Sequence, residues 1–397
     1  MSNPFSYSRF DLPQGWNKRR LGSLLQFQNG QDISGTDIEL ESYPVYGSGG
    51  EFKRTNQYLF DGPSILFGRK GTIDKPLLVN GRFWTVDTMF YTVLGPDVDP
   101  RFVHYWALVA PLSVLSTNTA VPSMTSTDLA QLYLAVPPLP TQRAIADYLD
   151  RETAEIDGMR ADLDEMERLL EERRVSIIQR HVLPEIGTYT RIKLVADVSL
   201  GKTVQKTQKD ASEVLRNYVR AAHIRPHGRL VLDDKPMWFT PNELKQLALE
   251  AGDVLVVEGG AGYGRSVYLR EELPGWGFQN HVIRVRPWTG ASGRFIDYTI
   301  RAHYGAGLID ILADGATIPG LSSDKARELP ILNVSYTEQR RIADEIDRET
   351  AEIDSMLSDI TKLRDLLAER RTALISAVVT GQIDIPVSPT HKDEAHA

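Results

Sequence analysis

The sequence predicts an α+β chain in which two mixed α/β globules with curved β-sheet alternate with two long antiparallel coiled-coil helices. Three observations predict it. RETAEID occurs at residues 151–157 and again at 348–354, 197 positions later. Around each copy, apolar residues keep a 3–4 spacing for about five heptads. The two larger regions carry short β-like runs punctuated by glycine, the pattern of mixed domains rather than helical ones.

Composition bounds the reading. At 397 residues the chain exceeds one ordinary core and implies at least two domains. With 42% hydrophobic and 25% charged residues it has the make-up of a soluble globular protein. No apolar run approaches the roughly 18–20 residues that cross a bilayer, so no membrane partner is expected. MSNPFSYSRFDLP has neither a basic n-region nor an apolar h-region, so no signal peptide is read. The absence of cysteine excludes disulfides, thiolate zinc sites and cysteine nucleophiles, and fits a cytoplasmic protein. A net charge of −8 argues against gripping DNA through bulk charge. The acidity is local, however. Residues 142–180 carry 7 Lys/Arg against 11 Asp/Glu, and residues 339–380 carry 7 against 9. Residues 1–141 (11 against 12) and 181–338 (19 against 18) are near neutral, so either can present a basic face.

Taken in order, residues 1–141 form a first globule, with strand-like runs in SILFGRKGTID (64–74) and RFWTVDTMFYTVL (82–94). VPPLP (136–140) leads the chain in extended, Thr141 caps a first helix over 142–184, and Pro184 stops it. Residues 185–337 form a second globule, with GDVLVVEGG (252–260) and FQNHVIRVRP (278–287) as strands. Thr337 caps a second helix over 338–381, Gly381 ends it, and residues 382–397 are a flexible tail. At the same offset QRAIADYLDRETAEIDGM (142–159) lies over QRRIADEIDRETAEIDSM (339–356). LLEERR (169–174) lies over LLAERR (366–371), and TAVPSMTS (119–126) over ATIPGLSS (316–323). No gap is needed, so this is an internal duplication with a pseudo-twofold plan.

The heptads define a seam. Leu149, Ile156, Leu163, Leu170 and Ile177 take position a in the first helix, with Ile145, Glu152, Met159, Met166 and Arg173 at d. The second helix places Ile346, Ile353, Ile360, Leu367 and Leu374 at a, and Ile342, Glu349, Met356, Leu363 and Arg370 at d. The stripe is narrower than the usual face of a core helix. Antiparallel pairing would bring Glu152 to Arg370 and Glu349 to Arg173, charges that set register more than they stabilise. About 38 residues at about 1.5 Å each make a rod of roughly 57 Å.

Catalytic signatures are missing. Gly201-Lys202-Thr203 resembles the end of a P-loop, but Ala196 stands where its first glycine belongs. GGAGYGR (259–265) puts Arg265 where a dinucleotide motif needs glycine. No HExxH, GxSxG or clustered histidine set occurs, and the only Pro-Pro reads VPPL rather than the [ND]PP[YF] of amino-methyltransferases. We expect no catalytic residue and no metal site.

Globule, QR·IA··LD·E····D helix, globule, helix: this plan resembles the specificity (S) subunit of type I DNA restriction–modification enzymes over almost the whole chain. PVYGSGG (44–50), GRKGTIDKP (68–76), TAVPSM (119–124) and ATIPGL (316–321) resemble pieces of that family's target-recognition domains. VPPLPTQRAIADYLDRETAEID resembles its lead into a spacer helix, although the second copy reads LNVSYTEQ in place of the PPLP lead. The resemblance implies a non-catalytic chain whose globules each read half of a split site in double-stranded DNA. It implies helices that space the readers and dock two methyltransferase (M) subunits, with motor-nuclease (R) subunits as further candidates. S-adenosylmethionine, Mg2+ and ATP would sit on those partners. Four-residue units such as Thr153–Ile156 would set the ruler, each adding about 6 Å.

Candidate DNA contacts in the first globule are Arg69 and Lys70, flanked by Gly68 and Gly71. Glycine lets backbone approach phosphate, and arginine reads guanine bidentately. Ser48, Arg54, Asn118 and Ser123 join them. The second globule offers Lys202, Lys206 and Lys209, which share one face if helical, and Tyr263, Arg265, Asn280 and His281. A rival reading is a scaffold or DNA-mimic inhibitor that uses the acidic coiled coil and reads nothing.

Overall fold

The computed structural model describes residues 12–33, 42–116, 122–260, 262–312 and 320–385. It resolves into two compact units. Residues 1–163 and 362–397 make the first; residues 164–361 make the second. Each unit thus takes in one globule and a stretch of both long helices, which run Leu139–Val182 and Tyr336–Val379. No helix among the described residues is long and apolar enough to cross a membrane.

The same topology is built twice. In the first unit a four-stranded antiparallel sheet is ordered Leu25–Asn29, Met89–Leu94, Ser64–Gly68, Leu77–Val79. Its equivalent in the second is Ala196–Leu200, Val282–Pro287, Val254–Val257, Ser266–Tyr268. Each unit adds a second sheet containing one parallel pairing: Tyr43–Gly47 with Arg82–Thr85, and Val214–Val219 with Gly277–Phe278. The long connection between the strands of each parallel pair is what allows it. A two-stranded ribbon closes each base, Asn17–Arg20 on Tyr133–Val136 and Tyr189–Arg191 on Pro330–Leu332.

One glycine in each unit permits a sheet-to-sheet approach. A Cβ on Gly30 would lie 2.0 Å from the Val86 carbonyl oxygen, and one on Gly201 would lie 2.3 Å from that of Gln279. Neither obstacle is a flexible side chain, so no rotamer change relieves the clash.

The duplicated motif fastens each globule to its long helix. Gln142 is buried: its side-chain oxygen accepts from the Asp99 amide at 2.9 Å, and its nitrogen donates to Asp97 and Pro137 carbonyls. Gln339 repeats this, accepting from the Ser292 amide at 2.9 Å and donating to Val334. Asp99 and Ser292 are the N-caps of the globule helices Pro100–Val109 and Gly293–Gly305. Asp150 accepts from Arg101 and from the Tyr105 hydroxyl, each at 2.6 Å, while Asp347 accepts from Arg294 and the Tyr298 hydroxyl. Burial, then the neighbouring carboxylate, pushes Tyr105 up to about 12 and raises Tyr298 as well, so both phenols stay protonated donors. Thr153 and Thr350, buried under this joint, return their hydroxyls to the carbonyls of Leu149 and Ile346.

Within each unit the two helices pack antiparallel. In the first, Ile145 and Leu149 share a core with Ile375, Val378 and Val379. In the second, Ile178 and Val182 share one with Ile342 and Ile346. The a column behaves as expected: Leu149, Ile156, Ile346, Ile353 and Ile360 are buried, while Leu163, Leu170 and Leu367 are half-buried. The second column begins as expected, with Ile145 and Ile342 buried, and further along is corrected by one residue. Thr153, Arg174 and Thr350 are buried, whereas Arg173, Glu349 and Arg370 are exposed and Glu152 is half-buried. The expected pairs Glu152–Arg370 and Glu349–Arg173 are therefore replaced. Glu349 meets Arg180 and His181 instead, Arg174 lies 3.0 Å from Asp354, and Arg371 lies 3.4 Å from Asp157. Heptad letters locate a stripe but not its second edge, because a 3–4 and a 4–3 spacing share the same a residues.

The helix starts also shift. Thr141 lies inside the first helix, which begins at Leu139, and Ser335 rather than Thr337 caps the second, its hydroxyl accepting from the Glu338 amide at 3.3 Å. Pro184 and Gly381 (φ +74°) follow the two ends as expected.

Gly201→Ala should destabilise the protein by about 3 kcal/mol or more, since only backbone can yield; urea unfolding of the variant measures it. Asp347→Ala leaves the buried Tyr298 phenol without its acceptor and Arg294 with Asp344 alone. It should cost about 1–3 kcal/mol and loosen the second globule helix, which hydrogen exchange in Gly293–Gly305 would report.

Candidate nucleic-acid interface

In the first unit the fully buried strand Ser64–Gly68 ends in a tight turn. A Cβ on Gly68 would sit 2.1 Å from the Thr72 carbonyl oxygen, and Gly71 has φ +86° with Ser48 Oγ beside it. The Arg69 and Lys70 amides both donate to the Thr88 carbonyl, at 2.8 and 3.3 Å. The other side of the turn is stitched to the segment after residue 121. The Gly71 amide donates to Pro122, the Met124 amide donates to Arg69, and Lys70 bridges Ser123. Ser48, Gly68, Arg69, Lys70, Gly71 and Ser123 are thus brought to one sheet end. Lys70 is exposed there; Arg69 is half-buried, with its guanidinium donating to the Asp87 carbonyl at 3.3 Å.

Arg54 stands apart, on the strand Gly50–Thr55, where it bonds to Glu51 and to both the hydroxyl and carbonyl of Ser42. Asn118 lies outside the described residues. Phe52, on the same strand and 61% exposed, was not among the expected contacts. Its signal is an aromatic residue set directly before Lys53-Arg54 and after a Gly-Gly turn.

The second unit repeats this frame with other side chains. The Leu321 amide donates to Glu258 at 2.7 Å and Gly259 bridges Gly320, as Met124 does to Arg69 and Lys70 to Ser123. Met124 and Leu321, and Ser123 and Gly320, are 197 positions apart, the offset of the repeat. The structural equivalent of Arg69 is therefore Glu258, and that of Lys70 is Gly259. Glu258 pairs with His281 at 3.3 Å. Asn280 is half-buried and its amide donates to the Lys202 carbonyl. Tyr263 donates its hydroxyl to Asp310, and Arg265 is half-buried nearby in the chain.

The lysine trio does not form a helical face. Residues 201–213 contain no helix, only a bridge between Lys202 and Gln279 followed by irregular chain. Lys202 is committed internally: its ammonium donates to Glu243 at 2.6 Å and to the Trp238 carbonyl, and lies 5.5 Å from the Phe239 ring centre. Lys206 and Lys209 are exposed. The loop is shaped by Glu213, which accepts from the Lys209 amide and from Gln205; these bonds hold its carboxyl below the usual range. A buried acceptor, rather than helical spacing, organises this stretch.

Residues 13–168 match the family described as the type I restriction modification DNA specificity domain. The match covers less than half of the chain. The EcoDI type I restriction enzyme specificity subunit of Escherichia coli is 22% identical over 171 residues, which span 42% of this chain and 38% of that relative. A solved chain from a type I R-M system has 14% identity and a TM-score of 0.68, covering 94% of this chain and 100% of its own. The HsdS subunit from Thermoanaerobacter tengcongensis, also 14% identical, gives a TM-score of 0.45 over 95% of this chain and 99% of its own. The matched residues span the first globule and the first part of the long helix clamped to it. The second globule lies beyond the matched residues and repeats the topology of the first.

Arg69→Ala should weaken binding of duplex DNA by about tenfold or more if its guanidinium meets a base or phosphate. Titration of the assembled complex at moderate salt checks it, with thermal unfolding as the control for the turn.

Proposed function

We propose that this chain is the non-catalytic DNA-specificity subunit of a cytoplasmic type I restriction–modification complex. Each globule reads one half of an asymmetric bipartite site in double-stranded DNA. The observation that carries the proposal is one strand-end frame made twice with unlike side chains. Arg69 and Lys70 in the first stand where Glu258 and Gly259 stand in the second. Arginine donates to guanine O6 and N7, whereas a carboxylate accepts from cytosine N4, so the half-sites differ. Their centres lie about one helical turn apart, the usual spacing of paired readers on one face of DNA.

The long helices act as the spacer and dock two M subunits. Exposed apolar residues support this: Met166 and Leu169 on the first helix recur as Leu363 and Leu366 at the repeat offset, and all four are close to half-exposed or more. Apolar side chains at matching positions suit two copies of one partner. The chemistry, with S-adenosylmethionine on the M subunits and Mg2+ and ATP on any R subunits, belongs to those partners. The reading of an acidic scaffold that recognises no sequence gains no support from the two strand-end turns.

Replacing residues 1–141 by those of another family member, with residues 142–397 kept, should change one half of the methylated site and leave the other intact. Sequencing of methylated DNA from cells carrying the chimera reads this directly. A site altered in both halves, or no defined site, would refute the assignment of one reader per globule.

A further inference from the structure

The second unit contains a cavity of about 480 Å3 between the later part of the first long helix and the globule packed on it. Four arginines line it, Arg174, Arg225, Arg265 and Arg301. Arg174 is buried, and Asp354, the carboxylate beside its Nε at 3.0 Å, is half-exposed and poorly aligned for a hydrogen bond. The Nε of Arg301 is likewise buried without an acceptor, although its terminal nitrogens reach Asp297 and the His227 carbonyl. Arg225 and Arg265 have no carboxylate partner among the described residues. The two lining carboxylates are both engaged: Glu171 pairs with His227 at 2.8 Å, and Glu167 has a partner of its own.

The wall is built to hold this arrangement. His227 takes a left-handed conformation (φ +61°), uncommon for a residue with a Cβ, in the turn Pro226–Gly228. A Cβ on Gly228 would lie 1.7 Å from an Arg301 nitrogen, so glycine is what admits that guanidinium. Guanidiniums stay charged, and buried polar atoms without acceptors are uncommon unless an ion or water meets them.

We infer that this cavity binds a phosphate group through the guanidiniums of Arg174, Arg225, Arg265 and Arg301. Several forked donors around one space match the oxygens of a phosphate, and two of these cations have no carboxylate partner among the described residues. The cavity exceeds a bare phosphate, so the group belongs either to a small phosphorylated compound or to the DNA backbone.

The test titrates inorganic phosphate into the full-length chain by calorimetry, against chloride of equal ionic strength. Wild type should show saturable uptake, and Arg225→Gln combined with Arg265→Gln should weaken it by about tenfold or more. Neither side chain is buried, so the double variant should fold, and circular dichroism confirms that. A second arm adds duplex DNA carrying the recognised site. Competition between duplex and phosphate, with a salt slope about 2 lower in the variant, assigns the site to backbone phosphate; unchanged phosphate uptake assigns it to a small compound. Phosphate no better bound than chloride, or bound equally by wild type and variant, overturns the inference. The first arm uses no DNA, so its outcome is independent of the reading function proposed above.

Discussion

The carboxylate of Asp150, and again that of Asp347, is the point on which each half of the molecule hangs. Each accepts from an arginine and a tyrosine of its globule helix, while a buried glutamine eight positions earlier ties the N-cap of that same helix to the long one. An apolar contact alone would let the globule helix roll on the long helix, since dispersion is non-directional. Charge-assisted hydrogen bonds from two different side chains to one carboxylate remove that freedom. The repeated residues therefore act first as a joint. Their polar character, unexpected on the inner side of a packed helix, follows from that role.

A joint made twice allows two globules to be held alike while presenting different side chains. The sheets, the strand-end turns and the bridge to the segment before the terminal ribbon recur in both globules, although little sequence is shared there. The side chains presented at the turn change from Arg69-Lys70 to Glu258-Gly259. Backbone hydrogen bonds maintain the turn in both cases, so the side chains are released from structural duty. This separation of frame from surface is what the proposed reading of two unlike half-sites would require.

Some expected contacts were spent on the fold. Lys202 looked like a phosphate-binding cation, yet a strongly hydrated ammonium drawn toward Glu243 and Phe239 serves the loop that carries it. Tyr263 and Arg54 are similarly bonded within the chain. Charge and glycine content mark where a loop is; they do not say whether a cation faces outward. In the same way, the two polar edges of the coil could not be told apart by letters, because Arg173 and Arg174 are adjacent and equally basic.

The sequence by itself determined the long helices, their duplication, the apolar column through Leu149, Ile156, Ile346 and Ile353, and the strand-end position of Gly68–Gly71. Each of these is a local or periodic property, carried by neighbours a few residues apart. Tertiary structure alone decided which second column meets its partner, that Asp150 and Asp347 clamp the globules, and that Glu258 occupies the place of Arg69. Those facts depend on residues tens to hundreds of positions apart meeting in space, and such meetings are chosen by the packing of whole surfaces rather than by any single stretch of chain.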